Sequence, residues 1–370
     1  MSPESSATVS PEQAYFPRIP PLNLELSNRC NCRCPYCANP VMDRDYGYMQ
    51  DHIIAKLEEE AVSNGYLIIG VHGTGEPLMR KDLEEVLLRF HEKGIWNAGL
   101  TSNGALLSQE RVMRLHEVGL AFLYISVDTL DPDLYQRTRS GSLEKVINNI
   151  IAAAEAKPEL MIQVGLMNHK EQLVNDATRA TFSSIFDGLP NISLHVYDCG
   201  RMPGAAENWS RYGDHVSDTC IAPGQFLTVL ADGKVALCCA DQNGQHVLGD
   251  VATQTLEEIW YDAENQRTFR NIALGVDTCP DVCVSCVLKR PTNTIDDVEP
   301  LLHAPLGEVL GVARDCREVG DFSEALRLFS HAFTRDPGDA GLREELAAME
   351  KSCDRTTDNY HLRYAEGKVS

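Results

Sequence analysis

The chain has 370 residues, of which 43% are hydrophobic and 24% charged, a composition typical of globular proteins and long enough for two domains or more. Its 54 acidic and 33 basic residues give a formal net charge of -21, which disfavours nucleic acid and anionic membrane surfaces as partners because their phosphates would be repelled. Apolar runs stay short of the roughly 20 residues of a membrane-spanning helix, and the polar N-terminus lacks the pattern of an export signal. We therefore expect a cytoplasmic protein whose 13 cysteines bind metal or carry out redox chemistry rather than form disulfides.

The first part of the chain alternates between strand-like and helix-like segments. Residues 1–21 are rich in Ser, Pro and Glu and are predicted to be disordered. The predicted strands are Leu22–Ser27, Tyr66–His72, Ile95–Thr101, Ala121–Asp128, Leu160–Leu166 and Ile192–Asp198. The predicted helices are Asp51–Ser63, Lys81–Lys93, Gln109–Val118, Ser142–Ala156 and Glu171–Phe186. Because six βα units are fewer than the eight of a closed barrel, the pattern predicts an α/β fold with a partial (β/α)6 TIM-type barrel over residues 22–212.

Within these strands, apolar and polar residues alternate with a period of two. On the last strand, the polar face carries Ser193, His195, Tyr197 and Cys199. If the apolar faces pack under the helices, the polar faces line the lumen, which would then hold a sizeable polar ligand. The alternative for any one strand is an edge position with the polar face in water.

The sequence changes character after about residue 210. Three segments follow: an auxiliary domain at 213–290, a linker at 291–304 and a helical extension at 305–370. Residues of the extension that fit a tetratricopeptide repeat are Gly320, Ala325, Phe329, Ala332 and Pro337. A generic helical hairpin fits this segment equally well. A lone repeat cannot bury its own apolar face, so we expect it to dock on the catalytic body or to form a homodimer through these helices.

The segment from Cys30 to Cys37 lies directly after the first strand, at the carboxyl end where α/β folds place their sites. Cys30, Cys34 and Cys37 have C-x3-C-x2-C spacing. Three thiolates on a [4Fe–4S] cluster leave one iron open to a small molecule. A zinc site is the alternative, but it lacks a nearby fourth ligand. The motif resembles that of radical S-adenosylmethionine (SAM) enzymes, and the sequence is similar to this family from residue 22 to about residue 290.

The resemblance implies that residues at successive strand ends bind SAM. They are Gly73, Thr74, Gly75, Glu76, Asn103, Ser126 and Asp128. It also implies that Tyr36 contacts the adenine and that Arg137 or Arg139, in the loop after the fourth strand, binds the methionine carboxylate. In this family an electron cleaves SAM, and the 5′-deoxyadenosyl radical abstracts a hydrogen atom from substrate. A reducing partner such as flavodoxin or ferredoxin is therefore expected.

Two residues depart from the family pattern. Thr74 stands where the family commonly has Gly, which is tolerated if the residue contributes only its backbone. Cys32 stands where the family usually has an apolar residue, and we interpret it as a small hydrophobic residue. Exchange with Cys30 as a cluster ligand is the alternative.

A second group of cysteines comprises Cys220, Cys238, Cys283 and Cys286. A β-hairpin over 227–237 that turns at Asp232-Gly233 would bring the first two together. The group resembles the family's auxiliary SPASM or shorter twitch domain, which implies one further [4Fe–4S] cluster. Cys239 or Cys279 could replace an assigned ligand, and a four-thiolate zinc site is the chemical alternative.

The spacing of these four cysteines resembles that of 2-deoxy-scyllo-inosamine dehydrogenase-like enzymes of antibiotic biosynthesis. This resemblance implies oxidation of an alcohol on a sugar or aminocyclitol to a ketone, with the auxiliary cluster as electron acceptor. The candidate substrate-side residues are His195, Tyr197, Asp198 and Arg201. Cys199 could instead donate a hydrogen atom, which would make the enzyme an epimerase. A ribosomal-peptide-modifying enzyme is the second alternative.

Overall fold

The computed structural model describes residues 8–10, 14–15, 19–64, 68–120, 122–199, 205, 207, 209, 220, 222–224, 226–274, 280–284, 286, 310–311, 314 and 341. The chain divides into two compact units, residues 1–8 with 19–290 and residues 9–18 with 291–370. Nearly all of the predicted linker and helical extension lies outside the described residues, as do Arg201 and Cys279. The repeat-like extension and the homodimer therefore stay predictions, as do the other domain boundaries.

Strands and helices alternate along the first unit. Its first six described strands are β1 (Leu22–Leu24), β2 (Ile68–Val71), β3 (Trp96–Ser102), β4 (Phe122–Asp128), β5 (Met161–Asn168) and β6 (Ile192–Asp198). The helices between them are α1 (Asp51–Asn64), α2 (Leu83–Glu92), α3 (Gln109–Glu117), α4 (Pro132–Arg139), α5 (Leu143–Ala156) and α6 (Asp176–Ile185). The strands are parallel neighbours in the order β6-β5-β4-β3-β2-β1, and within the described residues the sheet does not close. The predicted α/β fold with a partial barrel is confirmed.

The core lies between the sheet and its helices. On β4, Leu123, Ile125 and Val127 are fully buried, whereas Tyr124 and Ser126, which alternate with them, are only half-buried. On β5, Ile162, Val164 and Leu166 are also fully buried, and so is Met167 on the other face of the strand. The predicted period of two is confirmed on β4, and it leaves polar side chains on the lumen face.

Two helices differ from the sequence-based prediction. Helix α4 lies where a loop was expected, because Pro132 occupies its first turn and the Asp131 carboxylate caps it by accepting from the Leu134 N–H at 2.8 Å. Helix α6 begins at Asp176, later than predicted, because Asn175 provides its cap. None of the described helices is both long enough and apolar enough to cross a membrane. The cytoplasmic location stays a prediction.

The auxiliary part extends the barrel sheet. Its strands are β7 (Leu227–Val229), β8 (Lys234–Ala236) and β9 (Val247–Asp250), and its described helices are α7 (Leu256–Trp260), α8 (Ala263–Leu274) and α9 (Asp281–Val284). Strands β7 and β8 form the predicted antiparallel hairpin, and Gly233 in its turn has a φ of 90°. Strand β7 also pairs in parallel with β1, with Asn23 opposite Thr228. The turn between β7 and β8 is thereby placed at the same sheet edge as the cysteine loop after β1.

The burial pattern predicts the effect of a large-to-small substitution on β5. Leu166→Ala should lower the free energy of unfolding by about 2–5 kcal/mol, because it leaves a cavity under the helices. Leu173→Ala is the matched control, since Leu173 is 57% exposed and its truncation should cost less than about 0.5 kcal/mol. Urea unfolding measures both. Equal losses would contradict the assigned face of β5.

Candidate active site

The loop after β1 brings Cys30, Cys34 and Cys37 together in one tight turn, in which the Cys37 N–H donates to the Cys34 carbonyl at 3.1 Å. Two backbone N–H groups of the loop point at sulfur. The Cys32 N–H donates to Cys30 Sγ at 3.4 Å, and the Asn39 N–H donates to Cys37 Sγ at 3.4 Å. Such donors stabilise thiolates, the form that binds iron. The three predicted ligands therefore fit a three-thiolate cluster.

Cys32 lies between two of these ligands. Its thiol hydrogen-bonds the sulfurs of Cys30 and Cys34, which lowers the pKa of both groups, that of Cys34 to about 7. The same two hydrogen bonds raise the pKa of Cys32 itself, so Cys32 stays protonated. Burial raises the pKa of Cys37 to about 12. Cys32 is a small buried residue, as interpreted, and in addition a hydrogen-bond donor to the neighbouring cysteines.

The Gly73–Glu76 segment approaches β1 so closely that two of its positions require glycine. A Cβ atom at Gly73 would lie 2.5 Å from Glu25 Cγ, and one at Gly75 would lie 2.1 Å from the Ser27 carbonyl oxygen. Thr74 between them donates its N–H to Glu25 Oε1 at 3.1 Å and its hydroxyl to the same oxygen. The Thr74 side chain thus holds a buried carboxylate, and a contact of the Thr74 backbone with SAM stays a prediction.

The Glu76 carboxylate joins the ends of β2 and β3. It accepts from the Leu78 N–H at 3.0 Å, the Ser102 hydroxyl at 2.8 Å and the Asn103 N–H at 2.7 Å. Burial raises its pKa. The Asn103 side chain donates to Asn31 Oδ1 in the cysteine loop at 2.8 Å, so this network also reaches the candidate cluster ligands. A contact of Glu76 with SAM stays a prediction.

Asp128, at the end of β4, joins three of the predicted site residues. Its carboxylate accepts from the Tyr36 hydroxyl, from the Tyr197 hydroxyl at 2.6 Å and from Arg139 Nε at 2.7 Å. Arg139 Nη2 lies 2.5 Å from the same carboxylate, and both members of this ion pair are buried. Burial raises the pKa of Tyr36 and of Tyr197, so both hydroxyls stay protonated as donors. Asp128 has a φ of 70°, a strained conformation that is typical of functional sites.

The two candidate arginines, Arg137 and Arg139, both lie in the last turn of α4. Residues two apart on a helix point in different directions, so only one of the pair can reach Asp128. Arg139 does so, whereas Arg137 is exposed and pairs with Glu171 at 2.9 Å. The structure thus brings Arg139, but not Arg137, together with Tyr36. Binding of the methionine carboxylate by Arg139 stays a prediction.

Aromatic side chains lie on the lumen face at β4 and β6. The Tyr124 hydroxyl is 3.3 Å from His195 Nδ1, and the His195 ring stacks on Tyr197 with centroids 5.7 Å apart. Register places Ser126 in the same row as His195, with Gly165 between them. His195 and Asp198 are both exposed, and Tyr197 between them is half-buried.

A hydrophobic cluster around Cys32, Cys34 and Tyr36 of the cysteine loop also contains Leu134, Met167, Cys199 and Trp209. Cys199 is 3% exposed, and burial raises its pKa to about 12. The Trp209 ring packs edge-on against Tyr36 at 5.7 Å, and Lys170 Nζ lies 4.6 Å from its centroid. Sequence analysis missed Trp209 because it lies in a stretch without periodicity. The aromatic residue itself was the one available signal.

The second cysteine group also converges. Burial raises the pKa of Cys238 and of Cys239. Charge repulsion from a Cys286 thiolate raises both pKa values further, which shows that the three sulfurs lie near one another. Repulsion from a Cys220 thiolate also raises the pKa of Cys239, so Cys239 lies near the assigned ligands. Cys283, carried by α9, is buried. The choice between Cys238 and Cys239 as ligand therefore stays open.

Comparison with known sequences assigns each of the two cysteine-bearing regions to a known type of domain. The sequence profile of the Radical SAM superfamily matches residues 24–177, and that of SPASM, an iron–sulfur cluster-binding domain, matches residues 220–287. The chain contains a radical SAM domain and a SPASM domain. Together with the converging cysteines, these domains establish SAM and two [4Fe–4S] clusters as the cofactors. The zinc alternatives are thereby set aside.

Solved structures agree on the fold. Streptococcus suis SuiB bound to S-adenosylmethionine superposes with a TM-score of 0.57 at 17% identity, over 76% of this chain and 75% of that one. Native anSMEcpe with bound AdoMet gives a TM-score of 0.56 at 16% identity, over 70% of this chain and 84% of that one. At these identities the likeness concerns the fold alone.

Curated relatives correct the functional prediction. The probable GTP 3′,8-cyclase of Methanocaldococcus jannaschii is 35% identical over 136 residues, 36% of this chain and 45% of that protein. The GTP 3′,8-cyclase of Aquifex aeolicus is 36% identical over 142 residues, 36% of this chain and 43% of that protein. The chain thus spans about half the length of the curated relatives it matches. The prediction of a sugar or aminocyclitol dehydrogenase is wrong, because these relatives are named for a reaction on GTP. Their names favour neither the epimerase nor the peptide-modifying alternative.

The Asp128 network predicts a loss of SAM binding when its charge is removed. Asp128→Asn keeps a residue that tolerates the positive φ but leaves Arg139 buried without its counter-ion. We expect the affinity of the iron-loaded protein for SAM to fall about 10- to 100-fold, as measured by SAM titration followed by EPR. Asp133→Asn, at an exposed position of α4, should bind SAM like the wild type. Unchanged affinity in Asp128→Asn would contradict the assigned role.

Proposed function

We propose that the chain is a radical SAM enzyme that abstracts a hydrogen atom from a purine nucleotide of the GTP type. The observation that carries the proposal is the 35–36% identity to GTP 3′,8-cyclases over segments of 136 and 142 residues. When bound, SAM and its cluster supply a 5′-deoxyadenosyl radical. The electron comes from a reducing partner of the flavodoxin or ferredoxin class.

The chain's own residues have three tasks in this reaction. Cys30, Cys34 and Cys37 hold the cluster, and the Asp128–Arg139 pair holds SAM beside it. The Glu76 network, with its bond from Asn103, keeps the strand ends in register around that position. Because these residues stand at neighbouring strand ends, the reacting groups meet over one edge of the sheet.

The aromatic lining of the lumen supports a flat substrate. Tyr124, His195 and Tyr197 lie side by side, with ring centroids 5.8 and 5.7 Å apart. Aromatic faces bind nucleobases by stacking, which contributes about 1–3 kcal/mol per base. The half-buried hydroxyl of Tyr124 and the imidazole of His195 add polar groups that can orient the base or ribose.

The test measures 5′-deoxyadenosine release by anaerobic, iron-loaded protein with SAM, dithionite and GTP. GTP should raise the rate above that without nucleotide, and ATP should raise it less. Formation of a bond at C3′ requires the hydrogen on that carbon to leave, so GTP deuterated at C3′ should yield deuterated 5′-deoxyadenosine. Equal stimulation by ATP and GTP would overturn recognition of guanine. Failure of both nucleotides to stimulate release would overturn the nucleotide proposal.

A further inference from the structure

Gln242 of the SPASM domain lies against a candidate ligand of the other cluster. Its side-chain Oε1 is 3.9 Å from Cys37 Sγ, and the residue is 8% exposed. Gln242 follows Cys238 by four positions in the loop between β8 and β9. The loop that begins with a candidate auxiliary ligand therefore reaches a ligand of the SAM-cleaving site.

Buried charges hold Gln242 in this position. Arg44 donates to the Gln242 carbonyl from Nε at 3.0 Å and from Nη2 at 2.7 Å. The same guanidinium pairs with buried Glu25 at 2.9 Å. One residue further on, Asn243 Oδ1 accepts from the Asp43 N–H at 3.2 Å. The backbone at Gln242 is thus fixed against the end of the cysteine loop.

The chemistry at the Cys37 sulfur decides which end of the amide faces it. A thiol donates to the amide oxygen, but an iron-bound thiolate can only accept. Turning the amide by 180° exchanges the positions of Oε1 and Nε2, and the two orientations differ only in which atom faces the sulfur. Hydrogen bonds to cluster sulfurs favour the reduced cluster, because it carries the additional negative charge, and so raise the reduction potential.

We propose that Gln242 is a positioning residue that donates its amide N–H to the Cys37 thiolate and raises the reduction potential of the SAM-cleaving cluster from the SPASM domain. The SPASM domain then contributes to SAM cleavage through this contact. The inference requires the cluster but no particular substrate, so the nucleotide proposal can fail without affecting it.

The test is a redox titration of the iron-loaded protein without substrate. The titration is monitored by EPR, using the signal that changes when SAM is added, because that signal belongs to the SAM-cleaving cluster. Gln242→Leu removes the donor and should shift the midpoint potential to a more negative value. Gln242→Glu, which replaces the donor with an acceptor, should shift it further in the same direction. Gln245→Leu is the matched control, since Gln245 is exposed in the same loop, and should leave the potential unchanged.

A purely structural role would lower iron content or thermal stability without this ordered shift. If Gln242→Leu binds less iron than the wild type, Arg44→Lys is measured in its place. This variant keeps the positive charge beside Glu25 but loses the paired hydrogen bonds to the Gln242 carbonyl. It should shift the potential in the same direction by a smaller amount. Equal potentials in the wild type and in the variants at Gln242 and Arg44 would overturn the proposal.

Discussion

The buried carboxylate of Glu25 imposes a constraint on which much of the site depends, because a charge with 1% exposure has to be paired and hydrogen-bonded where it lies. Its partners come from three segments that are distant in sequence. Thr74 belongs to the segment after β2, Arg44 to the end of the cysteine loop, and Ala231, whose N–H donates at 2.9 Å, to the turn of the SPASM hairpin. Satisfying one carboxylate therefore fixes the relative positions of the two cysteine-bearing regions. The parallel pairing of β1 with β7 supports the same arrangement through the backbone.

Asp128 has a comparable role at the opposite side of the site. Tyr36 reaches it from the cysteine loop, Arg139 from α4 and Tyr197 from β6. Its position connects the cysteine loop with the lumen, because Tyr197 stacks on His195 there. The left-handed backbone at Asp128 is consistent with a conformation that this network maintains.

The cysteine loop and the barrel could be predicted because their signals are local. Ligand spacing is set by cluster chemistry over eight residues, and the period of two on β4 follows from a strand with one face under the helices. The contacts of Glu25 and Gln242 join residues about 200 positions apart, which no local pattern reveals. Arg139 could have been distinguished from Arg137 if the Asp131-Pro132 helix start had been used. The substrate prediction failed because auxiliary cysteine spacing reflects how a cluster is bound and carries no information about the lumen.

The central claim is that two separate groups of cysteines bind two clusters, and iron and zinc analysis of anaerobically reconstituted protein tests it most directly. The wild type should contain about eight irons per chain, and the Cys30/Cys34/Cys37→Ala triple variant about four. Cys32→Ala should keep about eight, because we expect Cys32 to hydrogen-bond the ligands rather than to bind iron. Zinc in place of about four of the irons, or an unchanged iron content in the triple variant, would contradict the account.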